Sequence, residues 1–206
     1  MFYNPAEGLR PAPLKFSPLK ALTAPRPIGW ITSMSAAGEI NLAPFSYFNA
    51  FAEDPPVVAY APNGTKPDGS LKDSLVNVRE TGEFVFNLVT WDLREAMNRT
   101  AAHEPRTVDE MRAAGLEPAP SMFVKPPRVA ASPAAFECKL LQIVELPKTR
   151  RGVGNWMVIG QVVGVHIDES VIVDGIVDIT RIKPVARLGY KDYCVVTETF
   201  TMERPD

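Results

Sequence analysis

Apolar residues in this chain come in short runs between turn-forming residues, and most runs carry the two-residue period of a strand. In PIGWITSMS, Ile28, Trp30 and Thr32 alternate with Gly29, Ile31 and Ser33. SAAGEIN follows as a turn, with Gly38 available for positive φ, and INLAPFSYF reads as the partner strand. PPVVAYA, EFVFNLV, AFECKLLQIVEL, NWMVIGQVVGVHI, SVIVDG and YCVVTETF read as further strands. Many strands with turns between them and few long helical patterns predict a mainly β chain with short helices, a barrel or sandwich rather than alternating βα units.

Three helices interrupt the strands. In SLKDSLVNVRETG, Leu71, Leu75 and Val78 recur at helical spacing and Gly82 is the stop; Ser70 and Asp73 stand in capping-box spacing. WDLREAMNRTA places Leu93 and Met97 one turn apart, and TVDEMRAAGL opens on Thr107 and Glu110, also in capping-box spacing, and closes at Gly115. A proline-rich crossing over about 118–133 leads back to the later strands and separates no second core. Residues 1–206 are therefore read as one domain, the size one core supports.

The stretch LAPFSYFNAF, Leu42 to Phe51, does not fit a plain strand. It holds four aromatic rings and no charge, yet Ser46 and Asn49 sit in it, and both of its alternating faces mix rings with a polar group. A buried amide or hydroxyl without a partner costs about 1–3 kcal/mol. Such groups bond either neighbouring backbone or a ligand with its own donors and acceptors. Thr32 to Ser35, TSMS, is a second polar interruption on the strand expected to pair with this one.

Composition narrows the classes. The formal charge is −2, from 22 basic and 24 acidic residues, which gives no field for nucleic acid or an anionic membrane. The longest apolar run, around Val162 to Val165, is far below the roughly 18 residues of a membrane span. The opening MFYNPAEGLRPAPLKF lacks the pattern of a signal peptide, so a cytoplasmic location is expected. Cys138 and Cys194, both among apolar residues, are expected to be buried small hydrophobes, and His103 and His166 stand apart from them, so no metal site is expected. GVGNWM, Gly152 to Met157, begins like a dinucleotide fingerprint but lacks its third glycine and runs into a strand; it reads as a hairpin turn, with Lys148, Arg150 and Arg151 at a solvated tip.

The segment SLKDS carries more chemistry. A helix start presents unpaired N–H groups, and its dipole favours an anion by about 0.3–1 kcal/mol. Lys72 adds a point charge, and Ser70 and Ser74 add hydroxyls. A phosphate monoester suits that set; an ordinary capped surface helix explains the same residues, and Asp73 opposes an anion unless it caps the helix.

The succession PRPIGWITSMSAAGEINLAPFSYFNAFAEDPPVVAYAP, KDSLVNVRETGEFVFNLV, VIGQVVGVHID and ARLGYKDY, roughly Leu19 to Tyr193, resembles the flavin reductase-like family with the FMN-binding split-barrel fold. The resemblance implies a Greek-key split β-barrel, usually a homodimer, with FMN near the subunit interface. It implies that Thr32 and Ser33 line the flavin and that Ser46, Phe48 and Asn49 hold its ring and ribityl chain. Lys72 and Ser74 match the phosphate-side KD[ST] block, with serine where threonine is common, and Arg187 and Tyr190 close the site. The activity it implies is hydride transfer from NADH or NADPH to FMN, with reduced flavin passed to an acceptor or partner protein. An oxygenase-like flavoprotein and a non-catalytic FMN- or haem-binding split barrel are the alternatives.

Overall fold

The computed structural model describes residues 1–8 and 10–205. Strands β1 (Arg26–Pro27), β2 (Gly29–Met34), β3 (Ile40–Phe45), β4 (Phe48–Glu53), β5 (Pro56–Tyr60) and β6 (Glu83–Asn87) occupy the first half. Short β7 (Pro118–Ala119) and β8 (Arg128–Val129) pair within the proline-rich crossing. Then come the long β9 (Ala134–Leu146) and β10 (Asn155–Ile167), followed by β11 (Ile172–Val173), β12 (Ile176–Val177), β13 (Val185–Arg187) and β14 (Tyr193–Val195). The helices are α1 (Leu19–Leu22), α2 (Asp73–Thr81), α3 (Arg94–Arg99), α4 (Glu110–Ala113) and α5 (Ile179–Ile182). None is long and apolar enough to cross a membrane.

Seven strands form one antiparallel sheet in the order β3-β2-β6-β9-β10-β5-β4. Its two outer strands, β3 and β4, are consecutive in the chain and joined by Ser46 and Tyr47 alone. Six inter-strand steps of a flat sheet span about 29 Å. Three Cα–Cα steps reach about 11 Å at most. The sheet must therefore curl until its edges meet, and they meet at Ser46–Tyr47. They meet at that corner alone and form no ladder with each other, since β4 pairs with β5 and β3 with β2. A smaller sheet, β1-β13-β14, lies beside this corner.

The barrel interior is filled by rings and branched side chains, among them Ile31, Tyr60, Phe84 and Val158, all nearly inaccessible. Phe48 stacks on Phe86 at 4.5 Å and 11°. A Cβ on Gly29 would fall 2.6 Å from the Phe48 ring, so the absence of a side chain at 29 lets the first residue of β4 fold over β2. A second apolar cluster, built on Trp30, Leu42 and Met111, packs α3 and α4 against the outer side of β2 and β3.

Several expectations hold. The β2–β3 hairpin turns at Gly38, φ +89°, α2 stops at Gly82, and GVGN lies in the β9–β10 hairpin loop with Arg150 and Arg151 exposed. Others need correction. INLAPFSYF is not one strand: β3 ends at Phe45, and Phe48 opens β4 after Ser46–Tyr47. Neither capping box forms. Ser70 bonds Asp68, and α2 begins from Lys72 with no side-chain cap, because Asp73 pairs with Lys66 and Arg106. Asp109, not Thr107, caps α4, and the Glu110 carboxylate instead accepts from Asn41 Nδ2 (2.8 Å) and the Leu42 N–H (3.1 Å). Cys138 is fully buried, which pushes its thiol pKa up, but Cys194 is half-buried.

Candidate functional site

Two recesses flank the Ser46–Tyr47 corner. One lies over β3 and the start of α2, lined by Pro44, Phe45, Lys72, Ser74 and the loop carrying His103. The other, about 610 Å³, lies over the start of β4, lined by Ser46, Phe48, Asn49, Arg26 and Met157. Tyr60 ties the two together. It lines the second recess, packs 5.1 Å from the Phe45 ring and donates its hydroxyl to the Ser74 carbonyl at 3.4 Å. The wholly buried Tyr60 phenol has its pKa raised by that burial, so it stays a donor.

The α2 start offers backbone donors. Its first turn is uncapped by any side chain, and the Leu75 and Val76 N–H groups close on the Lys72 carbonyl. Lys72 Nζ lies 5.5 Å from the Phe45 ring centroid. Burial, with Lys20 adding positive charge, holds the Lys72 pKa below its ordinary value. The ion pairs of this corner go to its neighbours. Asp73 is neutralised by Lys66 and Arg106, and Arg106 also binds Glu39, Asn77 and Glu80. Asp73 therefore neither caps the helix nor opposes an anion with a free charge.

Among the described residues, two buried side-chain polar atoms have no hydrogen-bond partner, Ser74 Oγ and Arg26 Nε. Buried polar groups are otherwise nearly always paired, so each orphan calls for a reason. Each belongs to a residue that lines one of the recesses, Ser74 the first and Arg26 the second. The remaining nitrogens of Arg26 donate to the carbonyls of Lys20, Thr23 (3.1 Å) and Leu188 (2.9 Å), pinning β1 to the turn after β13. Those three bonds fix the guanidinium while Nε–H is left over. The sequence reading missed Arg26; its signal was a lone arginine between prolines at the head of an apolar strand.

The predicted residues separate into three groups. Ser46, Phe48 and Asn49 share one recess, and Lys72 and Ser74 the other. Asn49 Oδ1 accepts from Ala50 N at 2.9 Å, which leaves its NH2 group as donor. Thr32 and Ser33 line neither recess. Both are fully buried and answered from inside: Asn87 Nδ2 donates to Thr32 Oγ1 at 2.9 Å, and Asn77 Nδ2 donates to Ser33 Oγ at 3.2 Å. Arg187 and Tyr190 lie apart, on the hairpin of the small sheet. There Arg187 donates to the Tyr190 carbonyl at 2.6 Å and to the Tyr193 hydroxyl. His166 reaches no recess either. It sits 2.5 Å from Glu137, a fully buried carboxylate that also accepts from the N–H groups of Met122 (2.7 Å) and Phe123 (2.6 Å). Burial raises the Glu137 pKa, but the bonds from His166, Met122 and Phe123 outweigh it and hold the group below its usual range.

The flavin reductase like domain model matches residues 22–181. This chain belongs to the flavin reductase-like family. An uncharacterized protein of Deinococcus radiodurans is 37% identical over 202 residues, covering 94% of this chain and 86% of that one. Nitrilotriacetate monooxygenase component B from Bacillus cereus superposes with a TM-score of 0.88 at 30% identity, over 98% of both chains. The 2-nitrobenzoate 2-nitroreductase of Pseudomonas fluorescens superposes at 0.82 and 30% identity, over 99% of this chain and 96% of that one. The fold is the family's split barrel.

Proposed function

We propose that this flavin reductase-like chain is an FMN-dependent oxidoreductase that takes reducing equivalents from NADH or NADPH and delivers them to an acceptor or partner protein. The observation that carries the reading is the pair of orphaned donors, Ser74 Oγ and Arg26 Nε, on the two sides of one corner. FMN has the matching parts: a phosphate, a polyhydroxyl chain and a flat ring with a polar edge. When bound, the flavin supplies the hydride chemistry, and the protein supplies binding, alignment and local electrostatics.

The residues divide the work by their chemistry. Ser74 Oγ and the uncapped turn of α2 donate to the phosphate, and Lys72 faces it as a cation. A phosphate beside Lys72 reverses the effect of burial, so Lys72 holds its proton in the complex. On the other side of the corner Phe48, stacked on Phe86, presents an apolar surface that would exclude water from the ring. Ser46, the Asn49 amide and Arg26 Nε–H offer hydrogen bonds to the polar edge, and donors aimed there stabilise negative charge on the reduced ring.

A homodimer belongs to this reading. Phe51, on β4 beside the second recess, is 64% exposed, and Val165 on β10 is 56% exposed. A second copy would cover such residues and finish the wall of the recess. The cytoplasmic location belongs to it too, as reduced nicotinamide nucleotides are held there. The monooxygenase component among the similar structures supports a partner protein as acceptor, and the nitroreductase supports a small organic one.

The test is titration of the purified protein with FMN, followed by flavin fluorescence and melting temperature, and then addition of NADH or NADPH without air. The reading expects saturable quenching, a raised melting temperature and bleaching of the bound flavin. Absence of both quenching and stabilisation overturns it.

A further inference from the structure

A third recess of about 510 Å³, within the size range of small-molecule sites, lies between α3 and the β13–β14 hairpin. Its floor is apolar, made by the buried Met97 and Val185. Two guanidinium–aromatic pairs, contributed by different elements, make its walls. On one side Arg94 lies 3.9 Å from the Trp91 ring centroid and donates to the Trp91 carbonyl at 2.7 Å. On the other, Arg187 lies 4.3 Å from the Tyr193 centroid and is held there by the Tyr190 carbonyl. Lys191 adds a third cation to the lining, against one carboxylate, Glu95, which is 3.5 Å from Arg94 Nε. Both residues stay partly accessible, Trp91 at 46% and Tyr193 at 38% exposure.

We infer that this recess binds a flat aromatic anion, with its ring against Trp91 and Tyr193 and its charge at the guanidinium rim. The apolar floor disfavours a small hydrated ion, which would lose water without recompense. The net positive lining disfavours cations and favours an anion over a neutral ligand, because with an anion both partners of the bond carry charge. Each guanidinium is already stacked on a ring, so less side-chain freedom is lost on binding, and each keeps N–H donors in reserve. The shared chemistry, an aromatic ring carrying a nearby anionic group, belongs to arenecarboxylates and to adenine nucleotides. The inference does not rest on the flavin reading, because this recess shares no lining residue with the two at the corner.

The experiment titrates the protein with 4-nitrobenzoate, with adenosine 2′,5′-bisphosphate and with neutral 4-nitrobenzyl alcohol, read by calorimetry and, for the nitro compounds, by tryptophan quenching. At least one anion should saturate, and 4-nitrobenzyl alcohol should bind at least about tenfold more weakly than 4-nitrobenzoate if that is the anion bound. The anion that saturates names the source. The double variant Arg94→Met with Lys191→Met should lose about tenfold in affinity for it while keeping its melting temperature and its FMN titration. If 4-nitrobenzoate binds, Trp91→Phe should abolish its quenching signal. Failure of both anions to saturate, equal binding of 4-nitrobenzoate and the alcohol, wild-type affinity in the double variant, or 4-nitrobenzoate quenching that survives Trp91→Phe would each overturn the inference.

Discussion

Glu137 and Ser74 are both withdrawn from solvent, at 0% and 1% exposure, yet their surroundings treat them oppositely. Glu137 is answered three times, by two backbone N–H groups and His166. Ser74 Oγ is not answered at all. The first group clamps the proline-rich crossing onto β9 and is architecture. The second is a donor without a partner, which fits the phosphate contact proposed for it. Burial and polarity are alike in the two; what differs is satisfaction.

The contrast can be broken first at Glu137. Glu137→Ala strands two backbone donors and His166, and should cost about 3 kcal/mol in urea unfolding. A cost under 1 kcal/mol would show that the clamp is not structural. Next is Asn87, which donates to the Trp30 carbonyl and Thr32 Oγ1 and accepts from the Val129 N–H. Asn87→Ala should cost about 2 kcal/mol in the same assay. If it instead lowered FMN affinity with stability intact, Thr32 would rejoin the site. Lys72→Met should leave stability nearly unchanged and weaken FMN about tenfold or more, measured by fluorescence titration, since it removes a charge-assisted contact. The smallest effect is in pH. The Glu137 pKa is depressed below its ordinary 4.5, so the stability it contributes is present above that value and is lost as pH falls through the lower folded-state value. The urea-midpoint gap between wild type and Glu137→Gln should therefore close in acid.

How much was legible in the sequence follows the same division. Gly38 and Gly82 announced their turns because positive φ is a local demand, and the strand segments announced themselves by period. The two capping boxes were misread because a carboxylate near a helix start goes to the strongest partner available. Asp73 went to Lys66 and Arg106, and Glu110 to Asn41 and Leu42, all brought in by the fold. Thr32 and Ser33 looked like ligand groups because the asparagines that satisfy them stand 55 and 44 residues away. LAPFSYFNAF was rightly singled out as no plain strand. What its composition could not show is that Ser46–Tyr47 joins the two edges of a curled sheet, which follows from strand order. Lys72 and Ser74 were singled out by resemblance and by charge, and the fold brings both to one recess. Arg26 was missed because its three carbonyl partners, one of them 162 residues away at Leu188, and its unpartnered Nε are set by the fold and not by the local sequence.

The most direct measurement is the melting temperature of Ser74→Ala with and without FMN, beside wild type. Deleting an unpartnered buried hydroxyl should leave the FMN-free variant at least as stable as wild type, while the rise on adding FMN shrinks. A variant that melts lower than wild type without FMN, yet gains the full rise with it, would show that Ser74 is structural and that the phosphate is held elsewhere.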